Sequence, residues 1–172
     1  MIVIETERLL LSQITSDDAP FILVLLNEPS FLRFIGDKGV RTLEDAGEYI
    51  RKGPVDSYER RGFGLYLTRL KEPLVPIGIC GLVKREALED VDIGFAFLPG
   101  FWSKGYAFEA ASAVLKHGRE VAGLNRIVAI TDPENESSIR LLERLGLRYD
   151  RMIQLSENSG ANKLFVPGTA TL

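Results

Sequence analysis

The sequence predicts an α/β layered sandwich around a mixed sheet. Three observations carry that reading. Short aliphatic runs alternate with amphipathic stretches in the order β-α-α-β-β-β-α-β-α-β-β. Residues 104–122 set a continuous apolar face on one long helix. No linker, repeat or low-complexity stretch divides the 172 residues, so residues 1–172 read as a single domain, long enough to bury a core.

Arg8 to Ile14, dominated by aliphatic residues, is the first predicted strand. Thr15-Ser16-Asp17-Asp18 supplies a hydroxyl cap and acids for a first helical turn, and that helix is expected to stop near Asn27, before Pro29. Thr42 and Asp45 have capping-box spacing for a second helix, which Gly53-Pro54 is expected to end. Phe63 to Leu70 and Ile77 to Val83 flank Lys71-Glu72-Pro73 as a hairpin. The next strand, Val91 to Leu98, follows the acidic turn around Glu86, Glu89 and Asp90 and halts at Pro99-Gly100. On the helix that follows, Ala110, Ala111, Val114 and Leu115 share one face, and His117 lies at its edge as a half-buried residue. Arg126 to Thr131 reads as a buried strand, and Asn135 to Leu145 as a helix stopped by Gly146. Leu147 to Leu155 and Lys163 to Val166 are the last two strands.

Composition narrows the function. With 21 Lys and Arg against 24 Asp and Glu, the net charge of −3 argues against neutralising a phosphate backbone, so no direct nucleic-acid partner is expected. No apolar run approaches the roughly 18 residues of a membrane span. Met1-Ile2-Val3-Ile4-Glu5 lacks the basic start and cleavage site of a signal peptide, so a cytoplasmic protein with no membrane partner is expected. A lone Cys80 cannot form an internal disulfide and reads as a small core residue. With one histidine beside it, no metal site is expected.

The most informative segment runs from Phe97 through Leu98, Pro99-Gly100-Phe101, Trp102, Ser103, Lys104, Gly105, Tyr106 and Ala107 to Phe108. A strand ends, a short loop turns, and a helix starts beside a glycine and a small residue. Helix N-termini offer unpaired N–H groups and a positive dipole end to phosphate, and Gly105 and Ala107 let a ligand approach the backbone. The segment is either a phosphate-binding turn or a plain connection whose glycine serves packing. No G-x-G-x-x-G opens a helix, and no G-K-[ST] follows a glycine-rich loop.

This segment resembles the cofactor motif of the GNAT superfamily of N-acetyltransferases, Q/R-x-x-G-x-G/A, with Trp102 in the first position. Trp102, Gly105-Tyr106-Ala107 and Glu109-Ala110 are similar to the W-x-x-G-Y-A-x-E-A form of its RimJ/RimL-like branch, which usually has glycine where Ser103 stands. Thr6-Glu7-Arg8-Leu9 resembles the branch's opening, and the run Asn135, Ser138, Leu141, Arg144, Gly146-Leu147 its second cofactor motif. The resemblance implies a mostly antiparallel sheet with a splayed parallel pair (Ile93 to Leu98 beside Arg126 to Thr131) and helices on both faces.

It further implies acetyl-CoA as acetyl donor, with its pantetheine arm on free backbone groups of Phe97 and Leu98. The pyrophosphate would rest on N–H groups from Ser103 to Phe108, with Lys104 either adding charge or simply solvated. Asn135 either caps its own helix or also contacts the pantetheine. Direct acetyl transfer to an amine needs a base, an oxyanion site and an acid. Asp92 stands where relatives carry a basic glutamate, and it is either that base or an exposed strand carboxylate. N–H groups near Leu98 could polarise the thioester. The family's usual tyrosine acid is replaced by Leu142, and Ser138, one turn earlier on the same face, is either the substitute proton donor or a local helix cap. Phe31, Leu32, Phe34 and Ile35 build the acceptor groove, the core or a dimer contact, so a monomer or a homodimer is expected. The final strand ends Phe165-Val166-Pro167-Gly168-Thr169, departing from relatives at the acceptor end. The acceptor is expected to be a protein or peptide N-terminal α-amine, which is partly neutral at pH 7. The alternatives are a small amine or a CoA-binding module without catalysis; an acidic groove would suit a cationic acceptor.

Overall fold

A computed structural model describes residues 1–168; Thr169, the last residue of the final run named above, lies outside them. The elements are β1 (Ile2–Glu5), β2 (Leu9–Gln13), α1 (Ala19–Leu26), α2 (Pro29–Phe34), α3 (Leu43–Ile50) and α4 (Asp56–Arg61). There follow β3 (Leu65–Leu70), β4 (Pro76–Val83), β5 (Val91–Phe97), α5 (Tyr106–Glu120), β6 (Ile127–Thr131), α6 (Glu136–Arg144), β7 (Leu147–Gln154) and β8 (Ala161–Pro167). The strands form one sheet in the order β1-β2-β3-β4-β5-β6-β8-β7. All neighbours are antiparallel except β5 and β6, which run parallel.

The pleat sends successive side chains to opposite faces. Tyr66, Cys80 and Phe97 pack with Ala110, Val114 and Leu115 of α5, whereas Leu67, Ile79 and Ala96 pack with Ile22 of α1 and Ile50 of α3. Helices therefore cover both faces of the sheet, as the sequence predicts. The Thr15 and Thr42 caps also form, each hydroxyl accepting a backbone N–H while the acid three residues on takes the threonine's own.

Three expectations differ. Ile2–Glu5 is a strand, paired antiparallel along Leu10–Ser12, where the sequence pattern predicts none. Pro29 begins α2 rather than merely following α1; its missing N–H is no loss in a first turn. Gly53-Pro54 does not end the second helix. The chain absorbs Pro54 in one wide turn of π type, Arg51–Val55, and continues as α4 until Gly62 closes it in the left-handed conformation.

Candidate active site

The parallel pair opens almost at once. Val91 lies opposite Ile127 and Asp92 opposite Val128, and the register goes no further although β5 continues to Phe97. Phe97 lies opposite Gly78 on β4, and the N–H of Leu98 donates to Ile77 O at 2.9 Å. Antiparallel alternation then turns the backbone groups of Phe95 and Phe97 away from β4, into the gap. Phe97 O is taken by the Trp102 indole Nε1–H at 2.8 Å, and Leu98 O accepts from Phe101 N at 3.0 Å. This corrects the expectation for Leu98, whose N–H and C=O are both engaged within the chain and so are not free for a ligand or an oxyanion. The groups left facing the gap are the Phe95 N–H and C=O and the Phe97 N–H.

Beyond the strand, Ser103 has φ +61° and Gly105 φ +82°. A left-handed serine costs energy that glycine does not, which accounts for the glycine usual at that position. Gly105 caps α5 without a side-chain bond, and the first amide to bond back is Glu109 N, to Gly105 O at 3.0 Å. The N–H groups of Tyr106, Ala107 and Phe108 thus lack intrahelical partners. The opening Thr6-to-Leu9 run has a structural task here. Glu109 Oε2 accepts from Thr6 Oγ1 (2.5 Å) and Arg8 N (2.9 Å), while Arg8 Nε reaches Oε1 at 2.7 Å. A second Arg8 donor bonds Lys104 O at 3.0 Å, so one arginine ties the turn to β2.

A cavity of about 630 Å³ lies over this turn, walled by Phe97, Trp102, Ser103, Gly105 and Tyr106 to Phe108 on one side, with Asn135 and Ser138 opposite. Lys104 and Leu98 do not line it. Arg33, Arg140 and Arg144 do, and Arg144 stacks its guanidinium 4.3 Å over the Phe108 ring. Arg144 sat inside the Asn135 motif without an assigned role; Arg33 had no local signal.

Asn135 Oδ1 accepts Ser138 N–H at 3.2 Å, so the cap is Asn135 itself. The Ser138 side chain makes no hydrogen bond among the described residues, and it is not the cap. Leu142 is 1% exposed and packed in the core under α5, so it does not share Ser138's access to the cavity.

A second cavity, of about 490 Å³, adjoins the first; Phe31, Phe34, Phe95, Ala96, Asn135 and Ser138 line both. Leu32 faces neither. Asp92 lies in its wall and is not an exposed strand carboxylate: it is 1% exposed, Oδ1 accepts from Arg85 Nε at 3.0 Å, and Oδ2 has no partner. Burial pushes its carboxyl up to about 6 against the opposing pull of Arg85. Glu86 and Glu89 are exposed, and Asp90 pairs with Arg126 at 3.1 Å, outside both cavities. Cys80 is fully buried, and burial pushes its thiol up. His117 is half-buried, edge-on to Tyr66. Among the described residues no three metal-ligating side chains cluster, and no helix is long and apolar enough to cross a membrane.

The sheet thus has one splayed parallel pair, and it opens beside a helix start that no side chain caps. Residues 8–148 match the family model described as an acetyltransferase (GNAT) domain. The "Uncharacterized N-acetyltransferase YoaA" of Bacillus subtilis is 30% identical over 154 residues, 88% of this chain and 86% of its own. The chain belongs to the GNAT family of acetyltransferases. Among solved structures, the ribosomal L7/L12 alpha-N-protein acetyltransferase RimL, in complex with coenzyme A, shares the fold at TM-score 0.83 and 15% identity, covering 96% of this chain and 97% of that one. The microcin C7 self-immunity acetyltransferase MccE, in complex with acetyl-CoA and AMP, does so at TM-score 0.78 and 16% identity, over 95% and 93%.

Proposed function

We propose that this chain moves the acetyl group of acetyl-CoA directly to the α-amine of a peptide or protein N-terminus. The observation that carries the reading is the junction of the two cavities at Phe95, Ala96, Asn135 and Ser138. The larger cavity suits the donor. The free amides at the start of α5 face a pyrophosphate, and the open edge of Phe95 and Phe97 pairs with the pantetheine amides as an added strand. The smaller cavity then holds the acceptor amine.

In the reaction the amine nitrogen bonds to the thioester carbonyl carbon, the C–S bond breaks, and the amine proton leaves. The Phe95 N–H, which faces the gap at the junction of the two cavities, is the donor that can stabilise the oxyanion. Asp92 is three residues below Phe95, about 10 Å along the strand, so it takes the proton through water. The unbonded Ser138 hydroxyl, at the junction, returns a proton to the leaving thiolate.

The second reading, a small-molecule amine acceptor, is favoured by the acceptor cavity's size of about 490 Å³, within the range of small-ligand sites. Thermal shift with acetyl-CoA, followed by thiol release across N-terminal peptides and small amines, tests both. Stabilisation by acetyl-CoA without thiol release from any amine would leave a CoA-binding module and overturn the enzymatic reading.

A further inference from the structure

The chain is acidic overall, yet the wall of the acceptor cavity is not. It carries Lys38, Lys52, Arg61, Lys84 and Arg85 against Asp56, Asp92 and Asp132. Most of these charges are already engaged. Asp56 pairs with Arg60 at 3.3 Å, Asp132 accepts the Glu134 N–H at 2.8 Å, and Asp92 is buried on Arg85. Lys52 pairs with Glu48, and Lys84 Nζ is bound to the carbonyl oxygens of Arg85 and Leu88.

Arg61, at the end of α4, and Lys38 form no ion pair among the described residues, and Arg85 is only partly used. Lys38 lies in the cavity wall on the loop after α2, its stem partly covered. Its ammonium pKa is lowered, by burial first and by the like charge of Arg85 second. Arg85 commits one N–H, at Nε, to Asp92 and leaves the rest of its donor fork free. The half-buried Tyr49 hydroxyl also lines the cavity and makes no hydrogen bond among the described residues; burial raises its pKa, against a weaker opposing pull from Arg85, so it stands there as a neutral donor. The two like charges on this concave space repel one another, and Asp92 offsets only that of Arg85. An anion between them turns the repulsion into charge-assisted hydrogen bonds.

We infer that the acceptor carries a carboxylate near its reacting amine and that Lys38, Arg85 and Tyr49 bind it; this rests on the reading of the smaller cavity as the acceptor site. The same cations disfavour an ammonium beside them, so the bound amine is biased towards its neutral, nucleophilic form. The carboxylate has two sources, the side chain of an acidic residue at the second position of a peptide or the α-carboxylate of a free amino acid.

Two matched pairs of acceptors separate these sources. The tripeptide amides Ser-Asp-Ala and Ser-Asn-Ala differ only in a side-chain charge; serine and serinamide differ only at the α-carboxyl. The acid member of at least one pair is expected to have a kcat/KM at least tenfold above its amide. Lys38→Met is expected to remove most of that advantage and Lys38→Glu to reverse it, with the KM for acetyl-CoA unchanged. Amides that match their acids in both pairs would overturn the inference, as would a Lys38→Met effect falling on acetyl-CoA instead. Calorimetry of N-acetylserine against N-acetylserinamide, and of the acetylated peptides, with coenzyme A present, reads the same subsite without turnover. Preferential binding of the acid forms by a protein that acetylates nothing would keep the anion subsite and discard the transferase reading. Equal binding of acid and amide in both sets would discard the subsite.

Discussion

At the scale of single residues, Asp92 and Ser138 make separable demands. A carboxyl raised from 3.8 to about 6 by burial binds its proton more tightly in the folded chain than in the unfolded one. Its contribution to stability is therefore greatest in acid and is lost as pH rises through that window, by on the order of 2 kcal/mol. Denaturant midpoints taken across pH 4 to 7 are expected to show this fall in the native protein and not in Asp92→Asn. If the ionised carboxylate takes the amine's proton, kcat/KM also climbs through a limb near pH 6. Arg85→Ala, which removes the group holding that carboxyl down, moves the limb to higher pH. Ser138→Ala is expected to lower kcat about 10²-fold, the low end for acid–base catalysis. Because Asn135 Oδ1 provides the cap, the melting temperature and the affinity for acetyl-CoA should stay near native. A normal kcat in a folded Ser138→Ala protein would leave water as the proton source.

At the scale of elements, the start of α5 concentrates strain and recognition in six residues, Ser103 to Phe108. Ser103→Gly removes the left-handed side chain at φ +61° and is expected to raise stability by up to about 1 kcal/mol, measured as a higher denaturant midpoint at unchanged slope. Gly105→Glu adds a side chain and a negative charge beside the unpaired amides, and a Cβ there comes within 3.2 Å of the Arg8 guanidinium. Acetyl-CoA should bind at least tenfold more weakly, about 1.4 kcal/mol, in calorimetry on the folded variant. This element was legible because its signals are local: a strand's end, a glycine, and a capless helix start lie within a dozen residues. The continuation of α3 into α4 was not, because Pro54 is a helix breaker by its own chemistry and only the wide turn around it shows how it is accommodated. The engagement of the Leu98 N–H depends on β4, some twenty residues away, so no reading of the loop alone reveals it.

At the scale of the whole molecule, the alternation of side chains along β3, β4 and β5 fixed the two-layer core in advance, since each face already had an amphipathic helix to cover it. The placing of Lys38 and Arg85 on one cavity has no such trace; a loop after α2 and the residues that follow β4 come to the same wall only once the sheet has formed. Cys80→Ala, in the apolar layer under α5, is expected to cost about 1 kcal/mol of stability and leave turnover largely intact, and prolonged EDTA treatment to leave both unchanged. Loss of activity in a folded protein after either treatment would mean chemistry of another kind. The short β5–β6 ladder also has a mechanical meaning. Five strands on one side and three on the other are stitched together across the sheet by two opposed residue pairs, so the middle of the sheet is its softest seam. A donor seated there as an extra strand would become a structural member, bracing two half-sheets joined by that short ladder. Amide exchange along β6 should slow on acetyl-CoA binding well beyond the residues that touch it, and the loaded enzyme should be the stiffer machine throughout.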